Sequence, residues 1–74
     1  MNSQQKKSSI HTGQKIQITD EEYDQRIDNF LFRRFKNVPK SHIYQLLRSG
    51  QVRVDGKRIR ADYRLQFGNI LRIP

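Results

Sequence analysis

Seventy-four residues, 34% of them hydrophobic and with four Phe, three Tyr and no Trp, provide for one small domain with a single modest core and leave no room for a second domain. The lack of Cys excludes disulfide scaffolds, thiol nucleophiles and cysteine-based zinc sites, His11 and His42 do not make a metal site on their own, and no run resembles a secretory signal or a membrane span, so a cytoplasmic setting with no membrane association is expected. The formal charge of +8 is unevenly divided: residues 1–25 carry three Lys against four acidic groups, and residues 26–74 carry twelve basic against three acidic, so the positive charge belongs to the fold and points to a polyanion, nucleic acid ahead of anionic membrane.

Residues 1–14 are polar and read as a disordered leader ahead of a domain over 15–74. Lys15-Ile16-Gln17-Ile18-Thr19 then alternates polar and apolar, the period of a short edge strand. From Asp24 to Phe35 the period becomes helical, with Ile27, Phe30, Leu31 and Phe35 on one face and Arg26, Arg33 and Arg34 away from it. Two caps are open for this helix, Thr19 with Glu22 as a capping box or Asp24 directly before the run. Phe32 lies off the stripe and is expected to pack against a second element at its edge.

Val38-Pro39 interrupts the pattern because the residue before a proline is driven out of helical geometry. A second helix fits Lys40 to Ser49, with Ser41 as N-cap, Ile43, Leu46 and Leu47 buried, and Gly50 supplying the left-handed residue past its end. Beyond Gly50 the period is two. Val52, Val54 and Ile59 flank Asp55-Gly56, the dipeptide of a type I′ turn, and Leu65 to Phe67 and Ile70 to Ile73 surround a second reversal at Gly68-Asn69. The fold class is α+β: two short helices packed on a small, mostly antiparallel sheet, with Phe30, Phe35 and Phe67 in the core. The chain stops at Pro74 directly after a strand, which we read as a boundary inside a longer protein.

Chemistry rests on basic residues carried by ordered elements. Arg26, Arg33, Arg34 and Lys36 belong to the first helical region, and Lys40, His42, Gln45 and Arg48 to the second, where Ser41, Gln45 and Arg48 can share one exposed ridge. Arg53, Lys57, Arg58, Arg60, Arg64 and Arg72 form a second group, with Lys57 and Arg58 projecting beyond the tight turn and Arg53 facing outward between Val52 and Val54. A loop tip beside a basic helix suits structured RNA better than the major groove of DNA. Some of these arginines are expected to pair with acids, Arg26 with Asp28 first among them. His42 reads equally as a contact or as a structural residue; Tyr44 and Tyr63 offer stacking faces but fit packing better. The acids Asp20, Glu21, Glu22 and Asp24 face solvent, and no paired-carboxylate, Ser-His-Asp or phosphate-loop spacing is present, so no catalysis is expected from this chain alone.

Gln25-Arg26-Ile27-Asp28-Asn29-Phe30-Leu31, then Val38-Pro39-Lys40-Ser41-x-Ile43-Tyr44-x-Leu46-Leu47-Arg48-x-Gly50-x-Val52-Arg53-Val54-x-Gly56-Lys57-Arg58-Ile59, and the closing Tyr63-x-Leu65-x-x-Gly68-x-x-x-Arg72-Ile73-Pro74 resemble the S4 RNA-binding domain, in particular the copy at the N-terminus of bacterial large-subunit ribosomal RNA pseudouridine synthases of the C type. The resemblance covers about residues 15 to 74. It implies the S4-like (alpha-L) fold and an RNA-gripping face made of the second helix and the adjoining loop, onto which Arg26, Lys40, Ser41, Gln45, Arg48, Lys57 and Arg58 map. The cations would take phosphates, and Ser41 and Gln45 would take backbone or base edges. Asp55 stands where the family often has Asn, and Asn69 where it often has Asp. A catalytic motif of the His-Arg-Leu-Asp kind is absent, as implied if it lies downstream of Pro74. The resemblance thus implies a module that captures structured ribosomal RNA, 23S in particular, as a monomer, for uridine-to-pseudouridine isomerisation by another domain and with no cofactor. Similar modules in stand-alone ribosome- or tRNA-associated proteins give the alternative, RNA binding without enzyme activity.

Overall fold

The computed structural model describes residues 13–74. The expected leader falls outside the described residues up to position 12, while Gln14 already belongs to a strand. In chain order the elements are β1 (Gln14–Gln17), α1 (Ile27–Arg34), α2 (Lys40–Arg48), β2 (Arg53–Val54), β3 (Lys57–Arg58) and β4 (Ile70–Ile73). The strands form one sheet in the order β1-β4-β2-β3, and every pairing in it is antiparallel. The α+β architecture and the edge position of β1 are those the residue pattern predicts.

Alternation along the strands places Val54, Leu71 and Ile73 on the helix-facing side, where they meet Ile27, Phe30 and Leu31 of α1 and Ile43 and Leu47 of α2. Ile18, Val52 and Leu65 complete the buried core, and Phe35, Leu46 and Tyr63 pack at its margin. Phe67 departs from the expectation of a core residue, since it is 72% exposed. It sits in the four-residue turn Gln66–Asn69, which is closed by Asn69 N–H donating to Gln66 O at 3.0 Å and carries Gly68 at φ +88°. A side chain at the tip of a reversal points away from both layers, and strand periodicity does not report this. The other reversal is of type I′, with Asp55 at φ +51° and Gly56 at φ +80°.

Neither predicted side-chain cap serves α1. Thr19 and Glu22 do pair, with Glu22 Oε1 accepting from Thr19 N–H at 2.7 Å and from the Thr19 hydroxyl at 2.8 Å, but Thr19 Oγ1 accepts from Glu21 N–H at 3.2 Å, and the pair closes the turn that precedes the helix. Asp24 lies at φ +69° and ends that turn. The first N–H groups of α1 are met by distant backbone: Ile27 donates to Tyr63 O at 2.8 Å and Asp28 to Ala61 O at 3.2 Å. Sequence proximity cannot show a cap supplied from thirty residues away. Helix α2 starts two residues earlier than a Ser41 cap requires, with Pro39 as N-cap and its carbonyl accepting from Ile43 N–H at 3.1 Å. Gly50, at φ +79°, ends it as predicted.

Candidate nucleic-acid interface

Helix α2 buries Ile43 and Leu47 and turns Ser41, Gln45 and Arg48 outward, where they line one shallow depression together with Ser49. The spacing of four and three residues is what brings them onto one ridge. Arg48 also borders a larger groove of about 510 Å³ between α2 and the chain leaving β3, whose other walls are Tyr44, Leu47, Arg58, Ile59, Arg60 and Ala61. Arg58 bends back so that Nη1 donates to the Arg48 carbonyl at 3.3 Å, placing β3 beside the C-terminal end of α2. That end carries the negative pole of the helix, which favours a guanidinium there.

Arg26 reaches the same helix through a relay. Its Nε and Nη2 donate to Asp28 Oδ1 and Oδ2 at 3.1 and 2.9 Å, and the Tyr44 hydroxyl donates to Asp28 Oδ2 at 3.2 Å. Asp28 is buried, and Asn29 N–H adds a further bond to Oδ1 at 2.7 Å. Burial pushes the Asp28 carboxyl up, but the hydrogen bond from Arg26, the Asn29 N–H, the Arg26 charge and the Tyr44 hydroxyl together hold it below its ordinary value. The same pairing raises Arg26. The predicted Arg26–Asp28 pair is therefore present, and Tyr44 packs as expected, edge-on to Phe32 with ring centroids 5.5 Å apart. Lys40 holds Nζ 5.0 Å from the centre of the Phe32 ring, which gives that residue its place at the edge of the stripe.

Of the residues singled out from sequence, Ser41, Gln45, Arg48 and Arg58 are thus brought together, Arg26 is tied to them through Asp28 and Tyr44, and Lys40 stands at the head of α2. Lys57 is exposed on β3 next to Arg58 and lines neither depression. The groove adds Arg60 and Tyr44. Their character was legible in the sequence, but Arg60 lies beyond β3, where no periodicity assigns a direction. His42 is exposed and borders a separate apolar groove with Leu46, Ile73 and Pro74. Among the described residues no cluster of three or more His, Cys, Asp or Glu could hold a metal ion, and no helix is long and apolar enough to cross a membrane.

The family model of the S4 domain matches residues 25–71, a span that runs from the start of the Arg26–Asp28 relay to β4. The chain belongs to the S4 domain family. Its relatives place this S4 domain more narrowly. It is 51% identical over 59 residues to the ribosomal large subunit pseudouridine synthase C of Buchnera aphidicola, covering 80% of this chain and 19% of that protein. The enzymes of the same name from Vibrio cholerae and Escherichia coli are 49% identical over 61 residues and 54% identical over 59, covering 82% and 80% of this chain and 19% and 18% of theirs. The chain therefore spans about a fifth of the length of these relatives. It is an S4-like RNA-binding domain homologous to one region of C-type synthases, whose catalytic domain lies outside it.

Proposed function

We propose that this S4 domain captures 23S ribosomal RNA and presents it, as a monomer in the cytoplasm, to a catalytic domain that isomerises uridine to pseudouridine. The observation that carries the proposal is the grouping of Arg48, Arg58 and Arg60 around one groove that Tyr44 also lines. Guanidinium groups provide phosphate contacts while the tyrosine face accepts a base with little sequence preference. In this reading Arg26, Lys40, Arg48, Lys57 and Arg58 take phosphates, and Ser41 and Gln45 take shorter polar contacts along α2. Arg26 is held for that task by Asp28. The identity to C-type synthases supports the ribosomal target and the isomerisation.

The domain contributes capture and placement, and the chemistry belongs to the partner domain. Binding energy used this way is felt in KM before kcat. In the full protein, Arg48→Glu with Lys57→Glu is expected to raise KM for 23S ribosomal RNA at least tenfold with kcat nearly unchanged, measured as pseudouridine formed per enzyme. An unchanged kcat/KM would overturn the capture role, and absence of pseudouridine from the unsubstituted protein would favour a stand-alone RNA-binding protein.

A further inference from the structure

The side of the sheet that faces away from the helices carries a second cationic feature. In the register of the sheet Lys15 lies opposite Arg72, Arg72 opposite Arg53, and Arg53 opposite Arg58. Directly opposed residues of antiparallel strands point to the same face. Every strand therefore contributes one cation to a single row that crosses the whole sheet, roughly 14 Å over three strand spacings. All four residues are exposed. Among the described residues the two ion pairs are Arg26–Asp28 and Arg60–Asp62, so no carboxylate pairs with any member of the row. Arg53 donates Nε and Nη1 to Gly50 O and Gly56 O, and Arg58 donates Nη1 to Arg48 O, which leaves further N–H groups of each guanidinium for an anion.

Like charges directly opposite one another across strands oppose folding. Three such contacts in succession are a cost that the carbonyls of Gly50, Gly56 and Arg48 offset only at Arg53 and Arg58, and a polyanion laid along the row removes it. The row is also not isolated, because Arg58 belongs both to it and to the groove beside α2. We propose that the outer face of the sheet is a second RNA-binding track, on which Lys15, Arg72, Arg53 and Arg58 hold the phosphates of a strand that continues from the α2 groove. The proposal rests on the RNA-binding reading of the domain and extends its footprint from one helix face to two sides of the molecule. An RNA strand fits better than a flat anionic membrane, since the row ends at a concave groove lined by Tyr44, Arg48 and Arg60.

Lys15 and Arg72 give a clean test, as both lie outside the α2 face and neither is needed to cap a carbonyl. The chain carrying Lys15→Gln and Arg72→Gln is compared with the unsubstituted chain and with Lys40→Gln/Arg48→Gln, each titrated with a structured fragment of 23S ribosomal RNA between 0.05 and 0.3 M salt (about these limits), and with anionic vesicles lacking RNA. Removing two phosphate contacts lowers the slope of log K against log salt by about 1.4 to 1.8 and weakens binding about tenfold or more near 0.1 M salt. The thermal midpoint is expected to hold or rise as the repulsion is relieved. A slope equal to that of the unsubstituted chain, with the Lys40/Arg48 variant weakened, overturns the second track and leaves the α2 face standing. Equal slopes for all three chains overturn the second track and the α2 face together. A loss confined to vesicle binding assigns the row to a membrane and also overturns the proposal.

Discussion

Asn69 donates Nδ2 to Asp55 Oδ2 at 2.9 Å, joining the two reversals of the chain through their side chains. Each partner is fully committed elsewhere. Asp55 Oδ1 accepts from Ile70 N–H at 3.0 Å, and Asn69 Oδ1 accepts from the Tyr63 hydroxyl at 3.0 Å and from Gln66 N–H at 2.7 Å. One side chain must donate across the gap and the other must accept, so Asp55→Asn together with Asn69→Asp keeps the contact with its direction reversed.

The pair therefore behaves as a unit. Asp55→Asn puts an amide N–H against either the Asn69 amide or the Ile70 N–H, and Asn69→Asp faces one carboxylate with another. Each single change is expected to cost about 1–2 kcal/mol. The double exchange restores every hydrogen bond with the roles reversed and should recover most of the loss, a coupling of about 1–3 kcal/mol. Urea unfolding of the four proteins in the cycle measures it. Additive losses would show that the contact does not couple the two turns.

Asp28 makes stability depend on pH. The folded state holds its carboxyl below the ordinary value of 3.8, so the unfolded chain binds the proton more readily. The contribution is complete above the unfolded value and is lost as pH falls through the folded one. Glu22, lowered chiefly by the Thr19 N–H, has the same sign. Asp28→Asn is expected to lose about 1–2 kcal/mol at pH 7, a discounted figure because Arg26 keeps 41% of its side chain in water. It should also flatten the decline below about pH 4, compared by denaturation at each pH. An unaltered acid profile would place that dependence in other carboxylates.

Leu65 and Phe67 separate what alternation can and cannot convey. Leu65 is fully buried and Phe67 is 72% exposed, although both were legible only as apolar residues two apart in a strand-like run. Leu65→Ala is expected to cost about 2–5 kcal/mol. Phe67→Ser should change stability by no more than about 0.5 kcal/mol. Thermal unfolding of both variants tests the assignment, and a large loss from Phe67→Ser would contradict it.

The same contrast describes how far the sequence could be read. The apolar period of Ile27, Phe30 and Leu31, the Asp55-Gly56 turn and the left-handed Gly50 are local properties, and each appears where the residues predict. The ridge of Ser41, Gln45 and Arg48 was legible for the same reason, since helical spacing alone sets it. The α1 cap, the Tyr44–Asp28 bond and the wall formed by Ile59, Arg60 and Ala61 depend on the chain returning from far away. Lys15 is the clearest case. Its sequence neighbours give no reason to group it with Arg72, and only the register of β1 against β4 does so.

That the charge of this S4 domain is arranged to bind RNA is the proposal on which the second track depends. It is tested most directly by titrating the chain with a fragment of 23S ribosomal RNA and with duplex DNA of equal length at several salt concentrations, alongside Arg48→Glu/Lys57→Glu. Both side chains are exposed, so the substitutions should leave the unfolding midpoint nearly unchanged. Tighter binding to RNA, a steep salt slope, and loss of about tenfold or more in the variant near 0.1 M salt are expected. Equal, weak binding to both nucleic acids that the substitutions leave unchanged would contradict the proposal.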